Sequence, residues 1–341
     1  MNSLFMGRYK PAIILTLALT VFLVSSKLPG KSWVVSTLAG SGTSGFANGA
    51  GTAAQFNLPI GVAVDSSGNL YVADYDNHRI RKITSAGVVS TFAGSTWGYH
   101  DATGTAAQFD SPVGVAVDSS GNVYVADENN HRIRKITSAG VVSTLAGSTA
   151  GHHDATGTAA QFATPAGVAV DSSGNVYVAD TWNHRIRKIT SKGVVTTLAG
   201  SGTVGHHDAT GTAAQFDTPH GVAVDSSGNL YVADLNNHRI RKITSEGVVT
   251  TLVGSGTEGY KDATGTEAQF SFPTGVAVDS SGILYVTDTY NNRIRKITPA
   301  GVVSTLAGST AGHHDATGTE AQLADPPAWP WIHPAMSMWR I

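Results

Sequence analysis

Three copies of one triplet, His152-His153-Asp154, His206-His207-Asp208 and His313-His314-Asp315, set metal-ligating residue types side by side. Imidazole and carboxylate donors invite a zinc-type reading. Adjacent side chains of an extended segment point to opposite sides, however, so each triplet offers a single imidazole to any one ion. That leaves His153, His207 and His314 as weak metal candidates. The matching segments elsewhere read Tyr99-His100-Asp101 and Tyr260-Lys261-Asp262, and a lysine at the shared position argues against a set of equivalent metal sites. The expectation is a loop in which Asp caps a turn through its own backbone amides, with no metal and no cofactor.

A second pattern pairs Asp74 with Arg79 and returns as Asp127/Arg132, Asp180/Arg185, Asp234/Arg239 and Asp288/Arg293. Flanking one turn, such a pair predicts an ion pair or an Asp–backbone bond that holds the turn, rather than catalysis. Arg81-Lys82 and its equivalents form a basic pair, expected on a solvated outer strand where charge discourages edge pairing; a patch for anionic ligands is the alternative. Glutamate occurs only at 128, 246, 258, 267 and 320. No acid and base are unique in position, which favours binding over catalysis.

The remaining chemistry lies where the copies differ. Differences collect at Tyr75-Asp76, Glu128-Asn129, Thr181-Trp182, Leu235-Asn236 and Thr289-Tyr290, and around a proline at Leu58, Ile60, Val113, Ala166, His220 and Phe272. Functional residues favour loops held on a rigid scaffold. Trp182, Tyr75 and Tyr290 are aromatic anchors for a ligand on such a surface. The competing reading is drift at solvent-facing turn tips.

These residues are positioned by a phrase repeated five times, GVAVDSSGN-[LV]-YVAD-xx-N-[HN]-RIRKIT-xx-GVV-[ST]-T-[LF]. It starts at Gly61, Gly114, Gly167, Gly221 and Gly275, at successive offsets of 53, 53, 54 and 54 residues; only the fifth copy departs, with Ile283 for Asn and Thr287 for Ala. A fixed period of this length means a solenoid or a propeller. Within one copy, Val62-Ala63-Val64 suits a buried strand. Asp65 to Asn69 is rich in turn formers, and Leu70 to Ala73 completes a hairpin. Arg79 to Ile83 and Val88 to Phe92 supply a third and a fourth strand. Four short antiparallel strands per copy predict one propeller blade each, over residues 59–94, 112–147, 165–200, 219–254 and 273–308. The loop from each fourth strand to the next blade then shares a face with the turn between strands two and three.

The hairpin GVAVD-SSGN-LYVAD, followed by Asn77-His78-Arg79-Ile80, resembles the NHL-repeat family, over roughly residues 34–308. The resemblance implies a β-propeller, commonly six-bladed, of a kind that binds proteins, RNA or extracellular ligands. Related propellers include lactonases and lyases, so a lactonase- or lyase-like enzyme with a site on the central axis is the alternative reading.

Ring closure is expected from the N-terminus. Val34-Val35-Ser36-Thr37-Leu38 matches a fourth strand with no first three before it, and reads as a clasp for a sixth, incomplete blade. The C-terminus begins that blade with Gly312 to Gly318 and then loses β alternation. Read one base out of frame, codons for residues 327–341 can spell GVAVDSSGNVYVAD. The expected organisation is therefore a propeller over 31–322 and an aberrant, frameshifted tail over 323–341.

Composition bounds the rest. Net charge is −2 and Cys is absent. That disfavours nucleic acid as a partner and excludes disulfides and thiolate chemistry. Arg8 and Lys10 precede an uncharged, mostly apolar run over 11–26, shorter than a typical membrane span, with small residues at Val24-Ser25-Ser26. Residues 1–26 are thus expected to be a signal peptide or, flanked by Lys27 and Lys31, a membrane anchor. Either places the repeats outside the cytoplasm, secreted, periplasmic or anchored, with membrane contact only through this segment. The predicted role is a binding or scaffold module for a protein, glycan or cell-envelope partner.

Overall fold

The computed structural model describes residues 33–323 throughout, together with the backbone of strands Ile13–Leu17 and Thr20–Ser25. Five antiparallel sheets follow the repeats, each with its four repeat strands in chain order, and in the first a short strand Gly49–Ala50 adds to the fourth strand's outer edge. Blade one comprises Pro59–Val64, Leu70–Asp74, Arg79–Ile83 and Val88–Gly94. Blades two to five repeat it, beginning at Pro112–Val117, Pro165–Val170, Pro219–Val224 and Pro273–Val278. First strands of successive blades adjoin, which makes an all-β propeller. A Cβ on Gly114 would collide with the Ala166 carbonyl oxygen, and one on Gly167 with that of His220. Neighbouring inner strands pass too close there for any side chain.

The second strand, rather than the first, is fully buried in every blade. It has neighbouring strands on both edges and blades on both faces, whereas the first strand ends its sheet at the axis; Val64 there is 44% exposed. Each interface between blades is one apolar cluster. Between blades two and three, Tyr124, Ala126 and Ile133 meet Val168, Val176 and Val178 around Phe162, which arrives on the connecting loop.

A sixth sheet holds Ile13–Leu17, Thr20–Ser25 and Val34–Ala39 in that order. Its last strand pairs with the loop after the fifth blade as fourth strands pair with the loops before them in the regular blades. Thr317 bridges Val34 as Thr103 bridges Val141 and Thr156 bridges Val194 in the regular blades. Val35 N–H donates to the Ala316 carbonyl at 2.9 Å. Val35 packs with Tyr285, Leu306 and Leu323 of the last repeat, and Ala39 with Phe56, Leu70 and Val72 of the first. Two further strands pair before this strand, where the sequence led to the expectation of Val34–Leu38 as the one strand in proper register. Their sequences, IILTL and TVFLVS, are rich in β-branched and apolar residues that suit strands. The rest of the expected signal or anchor segment, residues 1–12, 18–19 and 26, and the tail beyond Leu323 lie outside the described residues. Among the described residues no helix is long and apolar enough to cross a membrane.

Candidate functional site

One face of the ring gathers the start of every first strand, the turn after every second strand and the long loops between blades. In blade one the register sets Pro59 opposite Asp74 and Arg79 opposite Gly94, so all three connections emerge together. The turn Tyr75–Asn77 is built by its flanking residues. Asp74 Oδ1 accepts the Asn57 N–H at 2.7 Å, and Asn77 Nδ2 donates to Asp74 Oδ2 and to the Gly45 carbonyl. His78 closes the turn in the left-handed region, φ 53°. The same bonds recur around Asp127, Asp180, Asp234 and Asp288.

That histidine also joins blades. His78 Nδ1 accepts the Ser111 N–H at 3.1 Å, and His131, His184 and His238 do the same for Thr164, Thr218 and Phe272. Accepting at Nδ1 requires a neutral ring, and burial holds all four below the ordinary histidine value.

Three expectations about the charged residues change. Of the two roles expected for Asp74, the backbone bond holds, to the Asn57 N–H at 2.7 Å, while its ion pair is with Arg81 at 2.7 Å and not with Arg79, which donates to the Asn77 carbonyl. Arg81, Arg134, Arg187, Arg241 and Arg295 are fully buried rather than solvated, while Lys82, Lys135, Lys188 and Lys242 lie over a tyrosine face. Alternation along a strand sends successive side chains to opposite faces, which separates each Arg from its Lys. The loop aspartates do not cap their own turns. Asp154 accepts from Arg187 and from the Thr197 N–H, pinning its loop to blade three, and Asp101, Asp208 and Asp262 repeat this. The first histidine of the triplet is also structural: His152 bonds Thr197 Oγ1, where Tyr99 bonds Thr144 and stacks on Arg132. His153, His207 and His314 each lie exposed on a different loop. Among the described residues no three His, Asp or Glu side chains gather as a metal-holding group.

The variable pairs are divided by the turn. Their first members face the inner strands. Thr181 Oγ1 donates to the Pro219 carbonyl at 2.9 Å, Thr289 bonds Thr274 Oγ1 at 2.7 Å, and Leu235 is buried. Tyr75 is half-buried, not an exposed anchor, and its hydroxyl meets Ser111 and Glu128 of blade two. Glu128 is only 7% exposed, and burial pushes its carboxyl up to about 8. Its Oε2 has no hydrogen-bond partner among the described residues.

Second members face outward. Trp182 is 64% exposed and Tyr290 37%. Asp76 is exposed, and Asn129 and Asn236 bond the lead-in residues Ser111 and Thr218. Of the residues flanking the prolines, Val113 and Ala166 are buried and Ile60 partly so. His220 is buried against the Thr274 carbonyl, and burial pulls it down to about 4. Phe272 sits between His238 and Tyr290, with centroids 4.7 and 4.6 Å away. Leu58 holds φ 53°. The face is therefore asymmetric: acids and hydroxyls at blades one and two, an exposed tryptophan at three, imidazole and aromatic rings at four and five. Sequence comparison overlooked Asp110, Ser111 and Thr274. Their signal was present, since the lead-in positions also differ from copy to copy.

Comparison with known proteins agrees with the geometry. The family profile described as NHL repeat matches residues 56–83, 109–136, 162–189, 216–243 and 270–297. Over 283 residues the chain is 31% identical to Protein SUPPRESSOR OF QUENCHING 1, chloroplastic, of Arabidopsis thaliana, covering 76% of this chain and 27% of that protein. Over 311 residues it is 31% identical to human NHL repeat-containing protein 2, covering 79% and 43%. The chain thus spans less than half of either relative's length. Among solved structures, an auxiliary nutrient binding protein from Bacteroides ovatus superposes with a TM-score of 0.65 at 15% identity, over 91% of this chain and 77% of that one. A Bacteroides thetaiotaomicron protein of unknown function gives 0.64 at 18% identity, over 94% and 92%.

Proposed function

The chain belongs to the NHL-repeat β-propeller family, and on that premise we propose that it is a binding module whose ligand sits on the turn face. One observation carries this reading. The scaffold residues are nearly identical from blade to blade, whereas the residues that differ in every blade converge on one face, with Trp182 and Tyr290 exposed there. A face used only for spacing has no need of five different residue pairs. The ligand class is a protein, glycan or other cell-envelope component, since aromatic anchors serve each. The apolar run over residues 11–26 supports a role outside the cytoplasm, which cell fractionation checks. The fold itself is one that auxiliary nutrient-binding proteins also use.

Immobilised protein should capture a component of an envelope extract, and the double variant Trp182→Ala/Tyr290→Ala should lose at least about tenfold in capture, as expected for two aromatic anchors. Changing Ser172 and Lys192, on the opposite face, should leave capture intact. Equal loss from both faces, or from neither, contradicts the reading.

The same reading takes the tail as blade-six sequence in a shifted frame. The restored phrase would supply first and second strands to the sheet that Ile13–Leu17 and Thr20–Ser25 occupy. The two hairpins are then mutually exclusive, and restoring the frame frees the N-terminal segment for export.

A further inference from the structure

Glu128 is a buried acid with no counter-charge among the described residues. The groups around it come from two blades. Tyr75 reaches it from blade one with a hydroxyl, and Asp110, on the lead-in to blade two, adds a second carboxylate whose charge it feels. Asp110 Oδ1 lies 3.8 Å from His78 Nδ1, but that nitrogen accepts the Ser111 N–H and so carries no proton to offer. The contact is not an ion pair. Asn129 ties its turn to that lead-in, donating its N–H to the Asp110 carbonyl at 3.2 Å and its Nδ2 to Asp110 Oδ1 at 3.3 Å, and among the described residues no lysine or arginine contributes to the Glu128 environment.

A buried carboxyl needs either a proton or a cationic donor. Tyr75 satisfies part of its hydrogen-bonding capacity, while Oε2 remains without a partner among the described residues. The arrangement occurs once. The position of Glu128 is held by Tyr75, Thr181, Leu235 and Thr289 in the other blades, and that of Asp110 by Asn57, Ala163, Asp217 and Ser271. Leu235 is as buried as Glu128 and its neighbours pack without difficulty, so the scaffold does not require an acid there.

We propose that this niche between the blade-one and blade-two turns is a subsite for the ammonium group of an amine-bearing ligand, with Glu128 Oε2 as the acceptor and Asp110 as the supporting charge. The subsite rests on the turn-face reading and specifies the chemistry of one part of it. A ligand ammonium supplies both missing features, a donor for Oε2 and a positive charge between two carboxylates.

Calorimetric titration of the full chain with D-glucosamine, N-acetyl-D-glucosamine and cadaverine tests this. The two amines are expected to bind, and the neutral acetyl analogue to bind at least tenfold more weakly. Glu128→Gln and Glu128→Leu should each lower amine affinity at least tenfold while melting no lower than the parent protein. Equal binding of the acetyl analogue, unchanged affinity in both variants, or no amine binding by the parent overturns the subsite. If amine binding is absent but envelope capture persists, the subsite alone fails. If capture is lost as well, the turn-face reading fails with it.

Discussion

Replacing Arg187 with methionine is expected to lower the free energy of unfolding by about 3–5 kcal/mol, because it breaks a buried pair from one side. The guanidinium is fully buried. One nitrogen donates to Asp180 Oδ2 at 2.6 Å and to the Gln161 carbonyl at 3.0 Å, and another to the His153 carbonyl and Asp154. It also lies 5.0 Å from the centre of the Phe162 ring. Its loss leaves Asp180 buried without its cation and releases the loop that carries Phe162 into the interface between blades two and three. Lys192→Met, at an exposed turn of the same blade, should stay within about 0.5 kcal/mol, as for an ordinary surface position. Urea unfolding distinguishes the two; a loss below about 1 kcal/mol for Arg187→Met would show that the pinned loop holds without it.

Introducing a charge into the clasp should have a comparable effect. Val35 is 2% exposed and Val34–Ala39 is tied to the last loop by the Val35–Ala316 bond, by Gly318 N–H to the Trp33 carbonyl at 2.8 Å and by Thr37 N–H to Asp315 at 2.7 Å. Val35→Asp buries an unpaired carboxylate at the ring's seam and is expected to cost at least about 3 kcal/mol. The same substitution at exposed Val34 should cost far less. The frame-restored chain, which gains its own inner strands for the sixth sheet, should melt higher and aggregate less than the present one, since an open sheet edge templates association. If it melts no higher, the tail does not belong to that sheet.

The blades were legible in the sequence to within a residue. The cause is physical: a strand pair joined by Asp-Ser-Ser-Gly-Asn can turn only where Gly68 and its equivalents take positive φ, and that mark recurs in every copy. Which connections share a face was legible too, because strand direction alone decides which loops emerge together. The electrostatics were not. Arg81 and Lys82 are adjacent basic residues, and nothing local says that one is buried. Arg81 is enclosed by Asp74 of its own blade and by Asn48 and the Ala47 carbonyl, more than thirty residues upstream. The loop aspartates were misread for the same reason, since their partners belong to the next blade. Glu128 stood out by composition, as the single glutamate among the five turns, yet its burial depends on Tyr75 arriving from another repeat.

The claim that the turn face binds the ligand is tested most directly by amide hydrogen exchange with the captured envelope component added back. Protection is predicted at residues 75–78, 128–131, 181–184, 235–238 and 289–292 and on the loops beside them. Exchange at the opposite turns, residues 65–69, 118–122 and 171–175, should stay unchanged. Protection confined to those opposite turns, or spread evenly over both faces, would contradict the account.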